Sequence, residues 1–344
     1  MIETWGFYLF NSESLSLEDL PSPEQLQAAY DRYVDLWTAC DRLGFDGLAF
    51  AEHHFNPMNL SPSTHLLVAA LAARTEKLRF TTLGSVLALH DARRYVEEVG
   101  MLDYLTQGRF EPVIAPGAGD REAVMAGIAS EEVRPRYYSG AELLIKATES
   151  PYVTQHDAFT NLDQVPIVPP MRPGTGRATW ATVTSPGSAE WTGQRGFKLC
   201  TAWLPTPVAA DLAATYRAAA EASGHRVDPS MLGIRRRVFV AETDAEAQEK
   251  YEASVDKIAA TLGRAFETAD PALRKRLTHP DDYVIGSPAT VADRLVEQCR
   301  AGGYGVVMAF TDFAEFAHAD LVRSHELIGH KVAPVLHSAA PVLA

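Results

Sequence analysis

Short apolar runs alternate along the chain with longer segments whose apolar residues recur every three or four positions. The short runs predict buried strands and the periodic segments predict amphipathic helices. We therefore predict strands over 5–10, 46–51, 78–86, 109–115, 179–184, 197–201, 232–241 and 305–310. We predict helices over 23–43, 63–74, 92–105, 134–149, 186–195, 207–222, 244–266, 288–301 and about 314–335.

Eight strands alternating with helices favour an α/β fold, a (β/α)8 TIM barrel with insertion loops. Barrels run from about 250 to over 400 residues, so we expect residues 1–344 to form one domain. The segments 151–177 and 267–286 are predicted to be irregular and are candidates for a lid. An open doubly wound sheet is the alternative. Its glycine motif is matched only in part by Gly117-Ala118-Gly119, which follows the fourth strand and lacks the third glycine.

In a barrel the chemistry lies where the strands end. The residues at these positions are Glu52-His53-His54, His90, 116–120, Ser185, Ser188, Trp203 and Thr311-Asp312.

The Glu52-His53-His54 stretch combines a carboxylate with two imidazoles. Such groups transfer protons near neutral pH, and the carboxylate fixes a tautomer. Structural histidines and a metal site are the alternatives. A metal would need further ligands, and the HExxH spacing of a common zinc site is missing from the sequence. We assign no metal.

Ser185 lies where the helix 186–195 is predicted to begin, and Ser188 lies one turn further on. Serine at this position caps a helix, and the free N–H groups there also attract anions. Both interpretations, plain capping and an anion site, remain open from the residues alone.

The net charge of −13 argues against a nucleic-acid partner. The basic run Arg235-Arg236-Arg237 lies inside a predicted strand, which we expect to be solvated or at the barrel mouth. The three cysteines are far apart, and the chain shows neither a secretory leader nor a run of about 18 apolar residues. We therefore expect a cytoplasmic protein without a membrane span.

Four segments in order along the chain resemble one family. They are 44–55, His90 through Phe110, Ser185 through Gly196, and Gly286-Ser287-Pro288 before the last strand. Together they resemble the bacterial luciferase-like flavin-dependent monooxygenases, and the similarity extends from about residue 2 to 335.

The resemblance implies that FMN binds at the carboxyl ends of the strands. It assigns His53 to the oxygen chemistry of the flavin, with His54 and Glu52 in support. Gly84 and Ser85 would lie near the flavin ring, Ser185 and Ser188 would hold its phosphate, and we add His90 to the flavin site. Many relatives carry Arg-Gly after the fourth strand, where this chain has Pro116-Gly117. Arg121, Arg172 or Arg177 would then have to supply the positive charge.

The implied function is an FMNH₂-dependent monooxygenase that oxidises an organic, hydrophobic substrate with O₂ through a peroxyflavin. The implied partners are a separate NAD(P)H:flavin reductase and a second copy of the chain in a homodimer. The alternatives are a deazaflavin-dependent dehydrogenase on the same barrel, a non-catalytic flavin- or ligand-binding protein, and a barrel hydrolase.

Overall fold

A computed structural model describes residues 1–11, 20–55, 59–115, 117, 120–254 and 278–341. The strands within these ranges are β1 (Glu3–Tyr8), β2 (Gly47–Phe50), β3 (Arg79–Thr82), β4 (Phe110–Glu111), β5 (Val113–Ile114), β6 (Tyr152–His156), β7 (Asn161–Pro166), β8 (Trp180–Val183), β9 (Lys198–Thr201), β10 (Leu232–Val240), β11 (Tyr283–Gly286) and β12 (Val306–Phe310). The helices are α1 (Pro23–Leu43), α2 (Thr64–Ala72), α3 (Ala92–Leu105), α4 (Asp120–Met125), α5 (Ser130–Glu149), α6 (Pro186–Gln194), α7 (Thr206–Ala222), α8 (244–254), α9 (Pro288–Gly302), α10 (His318–Leu327) and α11 (Ala333–Ser338).

The main sheet is parallel and closes into a barrel. Its strands follow the order β4-β3-β2-β1-β12-β10-β9-β8-β5. β4 pairs with β3 and β5 pairs with β8. Because Pro112 alone separates β4 from β5, the two form one interrupted strand that closes the ring. The predicted (β/α)8 barrel is therefore confirmed for the described residues.

Charged residues close the amino-terminal end of the barrel interior. Arg79 pairs with Glu3, and its Nη1 lies 3.1 Å from Glu111 Oε1. Lys198 Nζ donates to Glu111 Oε2 over 2.7 Å. Above this layer the rings of Trp5 and Trp180 meet edge to face with centroids 6.3 Å apart. The interior is filled at this end, so the accessible end is the carboxyl end of the strands.

Several predicted helix ends are confirmed because local capping sets them. α1 begins with a capping box at Ser22 and ends at Gly44, whose φ of 96° lies in the left-handed region. α3 begins after Asp91, whose side chain accepts from Arg93 N. The fourth strand is predicted as continuous but is broken at Pro112, which has no N–H for the ladder.

The prediction of an irregular segment over 151–177 is wrong. This segment contains the antiparallel hairpin of β6 and β7. Asp157 stabilises its turn by accepting from the backbone N–H groups of Phe159 and Thr160, both at 2.8 Å. The second segment predicted to be irregular, 267–286, is described only from 278, and there it contains the short strand β11. The remainder of it lies outside the described residues.

The basic run on β10 is buried. Arg235, Arg236 and Arg237 are 1%, 0% and 7% exposed. The expectation of a solvated strand is therefore wrong, because the whole run is buried within β10. Alternation along the strand turns Arg235 and Arg237 inward, whereas Arg236 faces the outer helices and donates to Gln298 Oε1 on α9 over 2.7 Å.

Candidate active site

Glu52 is the centre of a hydrogen-bonded cluster at the end of β2. Its side chain is buried, and its Oε1 accepts from His54 Nε2 and from His90 Nε2, both at 2.9 Å. Val86 N donates to the same oxygen over 3.3 Å. The cluster joins the carboxyl ends of β2 and β3. Three residues predicted from the sequence to be in the site are thus brought together, since His54 and His90 both bond to Glu52.

These contacts fix the charge of the cluster. Burial alone would raise the pKa of Glu52, but the hydrogen bonds and charges of His54 and His90 outweigh it and lower the pKa to about 2. Burial likewise opposes the charged form of His90, yet the adjacent Glu52 carboxylate raises the pKa of this imidazole. A permanent anion at Glu52 therefore holds both rings in place.

His53 points away from this cluster and contacts a different acid. Its Nδ1 lies 2.9 Å from Glu122 Oε1 on α4, and both side chains are partly exposed. A carboxylate oxygen accepts, so Nδ1 carries the proton and Nε2 is left for other chemistry. Adjacent residues of an extended segment point to opposite sides, which explains why His53 and His54 contact different acids.

Glu122 was missed by the sequence reasoning. It lies 69 residues from His53, so the pattern around either residue gives no indication of the contact. The sequence offers one weak signal for Glu122, because it is an acidic residue in the first helical turn after the glycines that follow the fourth strand.

Gly84 and Ser85, the two residues predicted to lie near the flavin ring, differ in their exposure to solvent. A Cβ built on Gly84 would lie 2.4 Å from Ala115 Cβ, so only glycine fits where β3 and the fourth strand come together. Ser85 is fully buried, and its hydroxyl lies 2.8 Å from Thr82 Oγ1. The hydroxyl therefore faces the fold, and Gly84 alone of the two is partly exposed.

Ser185 and Ser188 form a capping box at the start of α6. Ser185 Oγ accepts from Ser188 N over 3.4 Å, and Ser188 Oγ accepts from Ser185 N over 3.1 Å. The capping interpretation is confirmed. An anion site at the same turn is compatible with it, because Gly187 has open space around it and Ser185 is exposed.

The arginines proposed as phosphate partners differ in position. Pro116 lies outside the described residues. Arg172 is engaged elsewhere, with its guanidinium 5.0 Å from the ring centroid of Tyr104 on α3. Arg121 is exposed on α4, next to Glu122. Arg121 is thus the candidate at the carboxyl end of the barrel, and the side chain of the third candidate, Arg177, lies outside the described residues.

Aromatic side chains line the interior above the two tryptophans. Phe7 and Phe310 meet edge to face at 5.3 Å, and Phe310 contacts Trp203 at 6.1 Å and Phe313 at 5.9 Å. Trp203 and Phe55 have positive φ values of 63° and 53°, which bulky residues adopt only under tertiary constraint. The carboxyl end of the barrel is therefore apolar on one side and histidine-rich on the other.

Asp312 follows β12 and ties it to β1. It is 3% exposed and accepts from Phe10 N over 3.0 Å. Burial raises its pKa to about 7, although the backbone donors oppose the shift. Its contacts are those of a structural residue that holds two strand ends together.

Two kinds of feature are absent from the residues in the ranges above. No group of three histidine, cysteine or acidic side chains suited to a metal ion was found there. None of the helices in those ranges has both the length and the apolar character needed to cross a membrane.

A parallel barrel with an acid–histidine cluster at its carboxyl end defines the class of protein. The sequence matches the family model of luciferase-like monooxygenases over residues 13–305. The chain belongs to this family, whose members are oxidoreductases.

This chain matches its relatives in sequence over about half to two thirds of their length. An uncharacterized protein of Sinorhizobium fredii, y4wF, is 36% identical over 170 residues, which cover 48% of this chain and 49% of y4wF. The 2,5-diketocamphane 1,2-monooxygenase 2 of Pseudomonas putida is 24% identical over 240 residues, 65% of this chain and 66% of that enzyme. The alkanal monooxygenase alpha chain of the Kryptophanaron alfredi symbiont is 26% identical over 173 residues, 50% of this chain and 48% of that one.

Solved structures match over nearly the whole chain. Monooxygenase RslO1 from Streptomyces bottropensis superposes with a TM-score of 0.82 at 21% identity, covering 98% of this chain and 100% of that one. The oxygenating constituent of 3,6-diketocamphane monooxygenase from Pseudomonas putida, solved with FMN, superposes with a TM-score of 0.75 at 20% identity, covering 97% of this chain and 98% of that one. An F420-dependent secondary alcohol dehydrogenase superposes with a TM-score of 0.73 at 13% identity, covering 97% of this chain and 99% of that one. At these identities the likeness concerns the fold alone.

Proposed function

We propose that the protein is an FMNH₂-dependent monooxygenase of a two-component system that oxidises a hydrophobic organic substrate with O₂. The observation that carries the proposal is the arrangement of two separate imidazole–carboxylate pairs, His53–Glu122 and His54–Glu52, where β2 ends. Family membership supports the cofactor class, and the aromatic lining of the barrel supports a hydrophobic substrate.

The described residues fit FMN at two points. Gly84 is partly exposed and presents backbone without a side chain, which suits a planar ring packed against the strand ends. The start of α6 offers N–H groups, the Ser185 hydroxyl and space at Gly187 for a phosphate. Arg121 is our candidate for the cation that relatives carry after the fourth strand. Bound reduced flavin would supply the electrons that activate O₂.

The protein's own groups would orient and move protons. Glu122 holds the proton on His53 Nδ1, so His53 Nε2 is the atom that donates or accepts a proton at the flavin or substrate. Glu52 fixes His54 and His90 and keeps its negative charge throughout. The aromatic lining would exclude water, which protects reactive oxygen species from unproductive decay.

Partners and context belong to the same proposal. The sequence holds only a partial dinucleotide motif, which supports a separate NAD(P)H:flavin reductase as the source of FMNH₂. Buried free thiols at Cys40, Cys200 and Cys299 suit the reducing cytoplasm. We also propose that the chain forms one domain and assembles as a homodimer.

The test combines binding with turnover. The purified protein is titrated with FMN, anaerobic FMNH₂ and a reduced deazaflavin, and then supplied with a flavin reductase, NADH, O₂ and candidate ketones and aldehydes. We expect FMNH₂ to bind and His53→Ala to reduce product formation by about 100-fold, the range of a lost acid–base group. His156→Ala is the matched control, because His156 lies on the exposed hairpin and bonds only to Asn161 in the described contacts.

Three results would overturn the proposal. One is the failure of both FMN forms to bind. Another is tight binding of the deazaflavin in place of FMNH₂. The third is unchanged product formation by His53→Ala, which would remove His53 from the reaction.

A further inference from the structure

Arg235 occupies an unusual position in the barrel interior. It is 1% exposed, and its guanidinium carbon lies 3.6 Å from the ring centroid of Trp203 and 5.2 Å from that of Phe310. Both rings pack against the interior cluster of the barrel. The side chain therefore points into the apolar half of the barrel's carboxyl end.

Asp282 holds this arginine from one side. Arg235 Nη2 donates to both oxygens of the buried Asp282 carboxylate, each at 3.0 Å. Arg237 donates to the same carboxylate. Two guanidinium groups thus share the Asp282 carboxylate, which occupies only Nη2 of Arg235.

Two nitrogen atoms of Arg235 remain unused. Nε and Nη1 are buried and have no hydrogen-bond partner among the residues described. A buried unpaired donor is costly, and for a charged donor the cost is larger. Burial accordingly lowers the pKa of Arg235 to about 10 despite the opposing charge of Asp282. An acceptor carrying negative charge would relieve both deficits.

We propose that Arg235, oriented by Asp282, binds an anionic oxygen group of the substrate, such as a carboxylate or an enolate. The neighbouring rings of Trp203, Phe310 and Phe313 would pack against the apolar body that carries this group. The inference rests on the proposed oxygenase function and names its substrate class: an aromatic or otherwise apolar acid.

β10 also supplies a matched control. Arg236 is equally buried and adjacent in sequence, but it faces outward and donates to Gln298 on α9. Replacing either arginine with methionine removes one buried guanidinium from the same strand. Only Arg235→Met removes one from the barrel interior.

The experiment compares 2-naphthoate with 2-naphthamide, two probes of the same shape that differ in charge, by calorimetric titration without flavin. We expect the wild type to bind the carboxylate about tenfold more tightly than the amide, the size of a charge-assisted hydrogen bond. Arg235→Met should abolish the preference and Arg236→Met should keep it. Arg235→Lys, which retains the charge, should keep part of it and serves if Arg235→Met does not fold.

FMN affinity is measured on the same variants. Equal affinity in the wild type and Arg235→Met supports the assignment to substrate. Loss of FMN affinity with the naphthoate preference intact would overturn it, because Arg235 would then recognise the flavin. The proposal is also overturned if the wild type does not prefer naphthoate over naphthamide. The same holds if Arg235→Met lowers the melting temperature but keeps this preference. Since the probes are titrated without flavin, a protein that prefers naphthoate yet binds no FMN contradicts the oxygenase proposal and not this one.

Discussion

At the scale of single residues, one oxygen atom of Glu52 accepts from three donors. The two imidazoles and Val86 N converge on Oε1 from two segments of chain, one after β2 and one after β3. Such a network is stable only while the carboxylate is charged. Its strength should therefore depend on pH in a way that identifies the groups involved.

Glu52→Gln keeps the shape but removes the charge, and it should lower the free energy of unfolding by about 2–3 kcal/mol at about pH 5.5. The pKa of Glu52 is depressed in the folded protein, so its contribution is present above the ordinary value of 4.5 and is lost as the pH falls toward about 2. The pKa of His90 is raised, so its contribution is full below 6.5 and is lost as the pH rises through the raised value. The gap between variant and wild type should therefore be widest between these limits.

Urea denaturation at several pH values measures this gap. Glu98→Gln is the control, because Glu98 also bonds to a histidine, His65, but is half-exposed. Its effect should stay below about 1 kcal/mol. A gap for Glu52→Gln that is constant with pH would show that the carboxylate does not act through its charge.

Single contacts of this kind were the least accessible to sequence reasoning. His53, His54 and Glu52 could be selected because they follow a predicted strand in a barrel. Glu122 could not, because its contact with His53 depends on how α4 folds back over the strand ends. Arg235 could not either, because β10 is buried on both faces and its pattern does not distinguish inward from outward positions.

At the scale of elements, the start of α6 combines a completed capping box with space for a ligand. Ser185 and Ser188 already satisfy each other's backbone N–H groups. If the FMN phosphate binds here, their hydroxyls would serve both the helix and the ligand. Loss of the hydroxyls should then weaken the binding of flavins that carry a phosphate and leave the binding of flavins without one unchanged.

The variant Ser185→Ala/Ser188→Ala should bind FMN about tenfold more weakly while its affinity for riboflavin changes less than about twofold. Flavin fluorescence titration measures both. Ser287→Ala is the control, since Ser287 also caps a helix, α9, but its backbone N–H already donates to the Asp244 carboxylate, which leaves that turn no place for a phosphate. Equal losses for FMN and riboflavin would mean that the substitutions act on the fold and not on the phosphate.

Elements with complete capping signals were predicted to within a residue or two, as α1 and α3 illustrate. The hairpin of β6 and β7 was missed because one of its faces is exposed and its alternation of apolar residues is short. Its stability comes from Asp157 and from Gln155, which donates to Ser139 O on α5 over 3.0 Å. Polar contacts across 16 residues leave no periodic trace in a sequence.

At the scale of the whole molecule, apolar side chains are exposed on α2 and α3. Leu66, Met101 and Leu105 are 71%, 52% and 56% exposed, and Tyr104 lies beside them at 45%. Of these residues, Met101, Tyr104 and Leu105 line one surface depression, and exposed apolar surface of this kind is typical of an interface between subunits. It is the surface on which we expect the proposed homodimer to form.

Met101→Glu/Leu105→Glu should convert the dimer to monomers, because each new carboxylate would be desolvated against its copy. Sedimentation velocity over a range of concentrations measures the change. Val208→Glu is the control, since Val208 is similarly exposed at 43% but lies on α7. A wild type that sediments as a monomer at every concentration would contradict the homodimer.

The break at Pro112 has a consequence for the molecule as a whole. Elsewhere four or more consecutive residue pairs join most neighbouring strands, but β4 and β5 each contribute only two. This gives the ring a seam, and directly above the seam Gly84 approaches Ala115. The seam is held at the carboxyl end by the hydrogen bond from Ala115 N to Ser85 O and at the opposite end by the ion pairs of Glu111 on β4 with Arg79 and Lys198. A small shift of this one strand past the Ala115–Ser85 bond would widen the carboxyl end of the barrel while the other seven strands keep their register.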